Sequence, residues 1–376
     1  MIFRVGEIMV RVKDFEFSLR EFAGSLGDFG PLNPFILGYI AILGVNPTGI
    51  FLAMGLTNIA LGIAYRLPLP VEAKKAIGVA ALSEKWKPSQ IYLSGVLTGV
   101  AWIVLGFSGF VKKLAGRTPL IVVRGIQLGL VFILLKEAVM LMQMDILLAL
   151  TSVILIILLM KNRYLPSALA VFGLGLALVF ISNPDIDLRI GFHPPPIYIP
   201  NIRDLSLNLP IVVFAQLVLT FSNAIMATCL AVNERFPGKR ISEENLAINM
   251  GLMNTFLPFI GGIPMCHGAG GFASQYFFGA RTGGAMLMEG VCEIFLALFL
   301  ADSIAIIFGA FPLSIIGAML LFASLELGKF LVKLRGLGLI ETVIIGIISF
   351  LTNLAVGFIA GLVLHWILKK AGKASV

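Results

Sequence analysis

Long apolar stretches, cut at intervals by short polar or proline-bearing breaks, set the pattern of this chain. Ile146–Met160, Ala168–Ile181 and Ile304–Phe322 are continuously apolar. Each is long enough to cross, or nearly cross, a hydrocarbon core of about 30 Å as a helix. A membrane β-barrel would instead alternate apolar and polar positions. The pattern predicts seven segments at 28–44, 48–65, 72–84, 90–111, 118–141, 144–160 and 164–182. A polar connector from Asn183 to Leu207 follows, and then seven more at 208–232, 244–262, 267–280, 284–301, 303–325, 337–350 and 352–368. The third and tenth are too short to span as helices.

Those two short segments belong to an internal repeat. When MGLTNIALGIAYRLPLPVEA (54–73) is slid onto MGLMNTFLPFIGGIPMCHGA (250–269), Met54/Met250, Gly55/Gly251, Leu56/Leu252 and Asn58/Asn254 coincide. So do Leu61/Leu257, Pro68/Pro264 and Ala73/Ala269. In both copies an extended apolar–proline stretch, Leu67–Pro70 or Ile263–Cys266, breaks the apolar run before it restarts as a short helix. Matching interruptions in the two halves of a membrane chain point to a transporter binding site.

Charge fixes the expected orientation. With fourteen passes and a cytoplasmic N-terminus, twenty Lys and Arg fall on the cytoplasmic side, from Arg4 to Lys373. Only Lys85, Lys87, Arg189 and Arg203 fall on the other. That bias is the positive-inside pattern. Since seven is odd, the two halves face opposite ways and the repeat is inverted. The expected organisation is a cytoplasmic amphipathic N-terminus (1–24, taken as a surface helix), a first repeat (25–182) and an extracytoplasmic connector (183–207). A second repeat (208–370) and a cytoplasmic tail (371–376) complete a multi-pass protein of the cell membrane with both termini inside.

Composition agrees: 59% of residues are hydrophobic and only 13% charged, about half the charged fraction of a soluble domain. The net charge of +8 does not signal nucleic-acid binding, because the basic residues sit at loop ends. Cys229, Cys266 and Cys292 lie in apolar segments with no CxxC pair or disulfide framework. No phosphate-loop motif is present, and no cofactor is expected.

The chemistry gathers at the two interruptions. A proline suits a helix's first turn, so each half-helix is expected to start just after its prolines, inside the membrane. Inversion then points the two N-termini at one another. Each offers free N–H groups and about half a positive charge, which together make an anion site. In the second copy His267 is the polar side chain at the helix start, and Gly268, Gly270 and Gly271 clear space for close approach; close helix packing would also use such glycines. In the first copy Glu72, Lys74 and Lys75 are ionisable at membrane depth. Lys75 either adds charge to the cavity or pairs internally with Glu72 at i, i+3.

At these residues the chain resembles the molybdate transporter family, relatives of the SulP sulfate permeases. The resemblance rests on Cys266-His267-Gly268-Ala269-Gly270-Gly271, then Gln275-Tyr276, and Phe278-Gly279-Ala280-Arg281-Thr282-Gly283. Gly27-Asp28-Phe29-Gly30, Pro68-Leu69-Pro70-Val71 and Arg124-Gly125-Ile126-Gln127-Leu128 add to it. It implies an all-α polytopic fold of 7+7 inverted repeats, sulfate/uracil permease-like, with core and gate domains and half-helices preceded by short strands. It also implies a secondary active transporter of a small tetrahedral oxyanion, molybdate first, with sulfate or tungstate as alternatives, and leaves room for a homodimer in the bilayer. The implied substrate-binding residues are Asp28, Val71, Glu72, Lys75, Ser222, Asn223, Cys266, His267, Gly268, Ala269 and Gly270. One departure stands out: the family pattern has an uncharged Gln where this chain has Glu72. A carboxylate there repels a dianion unless Lys74 or Lys75 compensates or Glu72 is protonated, which makes Glu72 a candidate for proton coupling.

Other readings weigh less. A uracil-permease-like carrier would place carboxylates on the eighth and tenth segments, where this chain has Asn223 and His267. Gly106-Phe107-Ser108-Gly109 with His365 fits the G-x-S-G pattern of rhomboid-type intramembrane serine proteases, but such motifs arise easily in a chain with 40 glycines. Cys266 and His267, adjacent in sequence, do not assemble a metal site alone. Arg124, Lys136, Glu137, Glu289 and Glu293 are gate or relay candidates, with structural ion pairs the commoner explanation.

Overall fold

In the computed structural model, residues 2–3, 9–28, 35–160, 162, 164–186 and 188–370 are described. Phe29-Gly30, the start of the first segment, Arg4, Lys161, Arg163, Asp187, Lys373 and the tail at 371–376 lie outside them. The apolar pattern becomes helices: α1 Leu19–Ser25, α2 Pro47–Tyr65, α3 Lys75–Ser83, α4 Pro88–Phe107 and α5 Phe110–Ala115. Next come α6 Leu120–Met142, α7 Ile146–Leu159, α8 Ser167–Ser182, α9 Leu209–Arg235 and α10 Glu243–Phe256. The last are α11 Ala269–Phe278, α12 Gly283–Phe299, α13 Ala301–Ala310, α14 Leu313–Gly328, α15 Gly336–Leu351 and α16 Leu354–Lys370. Five described spans are long and apolar enough to cross a membrane: α2, α4, α6, α9, and α14 with its extension to Lys333.

The N-terminus differs from expectation. Instead of a surface helix it forms strands Ile2–Phe3 (β1), Met9–Val12 (β2) and Phe15–Ser18 (β3) in an antiparallel meander before the short α1. The reason is legible afterwards: Val10-Arg11-Val12 and Phe15-Glu16-Phe17 alternate with period two around a Lys13-Asp14 turn. The expected segment 303–325 is also two helices, α13 and α14, because Pro312 sits at the N-cap of α14 and cannot continue α13. Its counterpart is the α5–α6 pair, where Pro119 holds the same place.

The repeat is visible in the packing. Helix α2 lies along α12, and its counterpart α10 lies along α4, so the partners exchange between halves. Both crossings are made at glycines. A Cβ on Gly55 would meet the Gly290 carbonyl at 2.6 Å, and one on Gly99 would meet the Thr255 amide at 2.5 Å. Gly55 and its repeat partner Gly251 therefore occupy equivalent crossings, where small residues let backbones touch. A second bundle gathers α6, α7, α8, α14, α15 and α16. Helix α9 runs at the boundary, and its Glu234–Arg235 end clasps the second bundle twice: Glu234 pairs with Arg124 of α6, and Arg235 with Glu326 of α14 at 3.0 Å. The Arg124 candidate is thus a cross-bundle ion pair. The connector drapes back over the first bundle, with Gly191 and His193 amides donating to Phe299 and Leu298 and Tyr198 N to Phe259.

Candidate functional site

Between the bundles the two interrupted segments meet. Val71–Ala73 (β4) and Met265–His267 (β5) pair antiparallel, with Val71 opposite His267, Glu72 opposite Cys266 and Ala73 opposite Met265. Lys74 N extends the ladder to Pro264 O at 2.8 Å. The half-helices start at Lys75 and Ala269, about one helical turn later than the prolines suggested, because the strands claim the intervening residues. Each strand feeds its own helix, and the strands run opposite ways. The N-termini of α3 and α11 therefore flank a shared two-stranded centre, and their positive dipole ends converge on it.

The repeat-matched asparagines support this centre differently. Asn254 braces β5 as a third strand would: its Nδ2 donates to Met265 O at 2.7 Å and its Oδ1 accepts from Met265 N at 2.8 Å. Asn58 donates instead to Glu293 Oε2 at 2.8 Å. Asn254→Leu strands both Met265 backbone groups in a dry interior, at about 1–3 kcal/mol each. A clear drop in melting temperature of the purified protein is expected. A shift no larger than that of a surface substitution would show that the edge finds other partners.

Both helix N-termini carry a side-chain oxygen. At α11, Glu72 Oε1 accepts from Gly271 N at 2.8 Å, and a Cβ on Gly268 would stand 2.5 Å from the Glu72 carboxyl. At α3, Gln216 Oε1 of α9 accepts from Ala76 N at 2.9 Å and Ile77 N at 3.3 Å. Glu72 is 2% exposed and 3.6 Å from Lys75 Nζ, so the internal i, i+3 pair forms. The carboxylate lies where an exogenous anion would meet the α11 amides.

The other candidates are brought together unevenly. Val71, Cys266, Gly268, Ala269 and Gly270 are buried at the strand–helix junction. Asp28 ends a 3-10 turn packed on α11, and its Oδ2 is buried without a partner. Ser222 and Asn223 sit in π-helical turns (Thr220–Ala227) that interrupt α9 beside β5. Such turns are frequent at functional sites. The Ser222 hydroxyl is spent on Val218 O and Leu219 O, whereas Asn223 Oδ1 is buried and unpartnered. His267 is committed on both ring nitrogens, Nδ1 to Pro70 O at 3.0 Å and Nε2 to Asn249 Oδ1 at 2.9 Å, and so bridges the two interrupted segments.

One group escaped the sequence reading, and another was named there without a place in the site. Gln216 has no signal that it would cap a distant half-helix. Lys74, passed over in favour of Lys75, is fully buried and bonds Thr98 Oγ1 at 2.6 Å, with no ion pair among the described residues. A buried amine with only a hydroxyl for company is costly to charge unless an anion stands nearby. The second half of the signature is structural: Thr282 caps α12 and accepts from Glu16 N, while Glu21 accepts from Arg281 N and Thr282 N, docking the N-terminal meander. Ser108 is exposed at the end of α4 and bonds Leu105 O, and His365 pairs with Glu341.

Comparison with known proteins places this geometry. A family profile described as "Molybdate transporter of MFS superfamily" matches residues 20–134 and 209–327, covering both interrupted segments. Molybdate transporter 2 of Arabidopsis thaliana is 30% identical over 93% of this chain and 87% of its own length. Molybdate transporter 1 of the same plant is 30% identical over 94% and 89%. Among solved structures, the transmembrane domain of the cyanobacterial bicarbonate transporter BicA superposes with a TM-score of 0.61 at 16% identity, covering 93% of this chain and 98% of that one. SLC26A9 gives 0.64 at 14% identity, covering 96% and 66%. These neighbours share an inverted-repeat anion-transporter fold. On profile, relatives and fold together, this chain belongs to the molybdate transporter family.

Proposed function

We propose that this protein is a secondary active carrier of a small tetrahedral oxyanion, molybdate first, with tungstate and sulfate as competing substrates. The observation that carries the reading is the convergence of two half-helix N-termini on the β4–β5 centre, where Gly268 and Gly270 add no side chain over α11 and a carboxylate, Glu72, already takes the Gly271 amide. Backbone N–H groups with aligned dipoles hold an oxyanion without needing a side-chain cation. Val71, Cys266 and Ala269 would shape the seat from the strand–helix junctions, Ser222 and Asn223 from α9, and Asp28 from beneath α11. Lys74 and Lys75 would supply positive charge. For an anion to enter, Glu72 must leave the Gly271 amide.

Alternating access would carry the half-helices past the second bundle, the Glu234–Arg235 end of α9 unclasping from Arg124 and Glu326 as it moves. The clustering of Lys and Arg supports a cell-membrane protein with both termini cytoplasmic, and a homodimer is the assembly to test. The alternative is a carrier of a nucleobase.

Thermal-shift titration of the purified protein with molybdate, tungstate, sulfate and uracil, followed by counterflow of radiolabelled molybdate in proteoliposomes, tests this reading. Stabilisation by the oxyanions and molybdate exchange are expected. Stabilisation by uracil alone would transfer the protein to the alternative.

A further inference from the structure

Behind the oxyanion seat lies a second polar centre. Asp28, Glu289 and Glu293 are 2%, 8% and 7% exposed, and the last two sit one turn apart on α12. Among the described residues none of the three pairs with a Lys, Arg or His. The groups facing them are Glu72 from β4, Gln275 from α11, Asn58 from α2 and Cys292 from α12. Gln275 Nε2 donates to Glu289 Oε2 at 2.7 Å, and Asn58 Nδ2 donates to Glu293 Oε2.

Each of those amides turns its NH2 toward a carboxylate and keeps a buried carbonyl oxygen, Gln275 Oε1 or Asn58 Oδ1, with no partner; Asp28 Oδ2 is likewise unpartnered. The centre is therefore rich in acceptors and short of donors, at membrane depth, with no counter-cation. Protons on the carboxyl groups supply both the missing donors and the missing positive charge.

It also has two outlets. Asp28, Glu289 and Glu293 line a cavity of about 610 Å³ between α2, α8, α12 and α13, whose other walls are largely apolar, among them Phe51, Phe172 and Phe308. On the opposite side Asp28 reaches the seat through Gly271. A Cβ there would lie 3.4 Å from Asp28 Cβ and collide with Glu72 Oε1.

Resting on the oxyanion reading, we propose that Asp28, Glu289 and Glu293 form the coupling-proton site of the carrier. A proton reaching the centre from the cavity side binds a Glu289 or Glu293 carboxylate and passes through Asp28 to Glu72. The neutralised Glu72 releases the α11 amides to the incoming oxyanion. When the proton is later given up to water on the other side, the carboxylate is restored and the ion leaves.

Glu289→Gln and Glu293→Gln keep an acceptor for Gln275 or Asn58 while removing the proton site, so they test the centre without touching the seat. In proteoliposomes an imposed pH gradient raises wild-type molybdate accumulation about tenfold per pH unit for each coupled proton. Combined in one double variant they are expected to bring that ratio to about one, while molybdate still gives its thermal shift and counterflow without a gradient persists. Variants that accumulate like wild type overturn the proposal, as do variants that lose counterflow together with accumulation. A wild type that exchanges molybdate but ignores the gradient also overturns it, leaving the oxyanion reading intact. A wild type that neither binds nor exchanges molybdate overturns that reading instead.

Discussion

Glu72→Gln is expected to tighten oxyanion binding by about tenfold or more, the equivalent of about 1.4 kcal/mol. The carboxylate occupies the Gly271 amide and stands within contact distance of Gly268, on the same helix end that an oxyanion would use. It acts against the ligand twice, as a competing acceptor and as a like charge. At about 4 Å and an effective dielectric near 20, one pair of unit charges is worth about 4 kcal/mol, of which Lys75 at 3.6 Å offsets a part. Gln keeps the shape and an acceptor oxygen but not the charge. The same variant is expected to lose the acid stimulation of uptake, because the last proton acceptor before the seat is gone. Isothermal titration with molybdate and uptake across a pH series measure both effects. Weaker binding with an unchanged pH series would remove Glu72 from the seat and from the coupling route.

Gly268→Ala is expected to abolish transport, by on the order of a hundredfold in initial rate, a loss typical of about 1 Å of misplacement at a reacting centre. Gly268 is the N-cap of α11 with extended backbone angles that alanine adopts without strain, so the fold should survive. What does not survive is space: the new methyl would lie 2.5 Å from the Glu72 carboxyl, in the volume assigned to the oxyanion. Initial uptake, with the thermal melt of the same preparation as a folding control, reads the effect. Adding Glu72→Ala relieves the carboxylate clash but leaves the methyl over the amides. If that double variant regained wild-type transport, Gly268 would matter only as a neighbour of Glu72.

The half-helices were legible because their breaks are written in the residue types least tolerant of a continuous helix. Pro68, Pro70 and Pro264 stop one apolar run, and Gly268 and Gly270 open the next. The matched Gly55/Gly251 and Asn58/Asn254 announced the two-fold, although only the structure shows that the asparagines diverge, one to a strand edge and the other to Glu293. The short strands were expected through the resemblance, but their pairing with one another left no signal in the residues. Three residues per strand carry no periodicity, and their stabilisation comes from a partner nearly two hundred positions away. For the same reason Gln216 was invisible as a site neighbour, and the choice between Lys74 and Lys75 for burial could not be made, since burial on a helix cannot be told from sequence without knowing which face meets the half-helix. The N-terminal meander was misjudged from its mixture of charge and apolar residues, when its period of two was the better guide.

Locating a bound oxyanion decides the central claim. Tungstate scatters strongly enough to be placed directly in a map of the purified protein. The tungsten is predicted to lie within about 4 Å of the Gly268–Gly270 backbone nitrogens, with amide-to-oxygen distances of about 2.9 Å and the Glu72 carboxyl withdrawn from Gly271. Tungsten found elsewhere, with Glu72 still seated on the Gly271 amide, would contradict it.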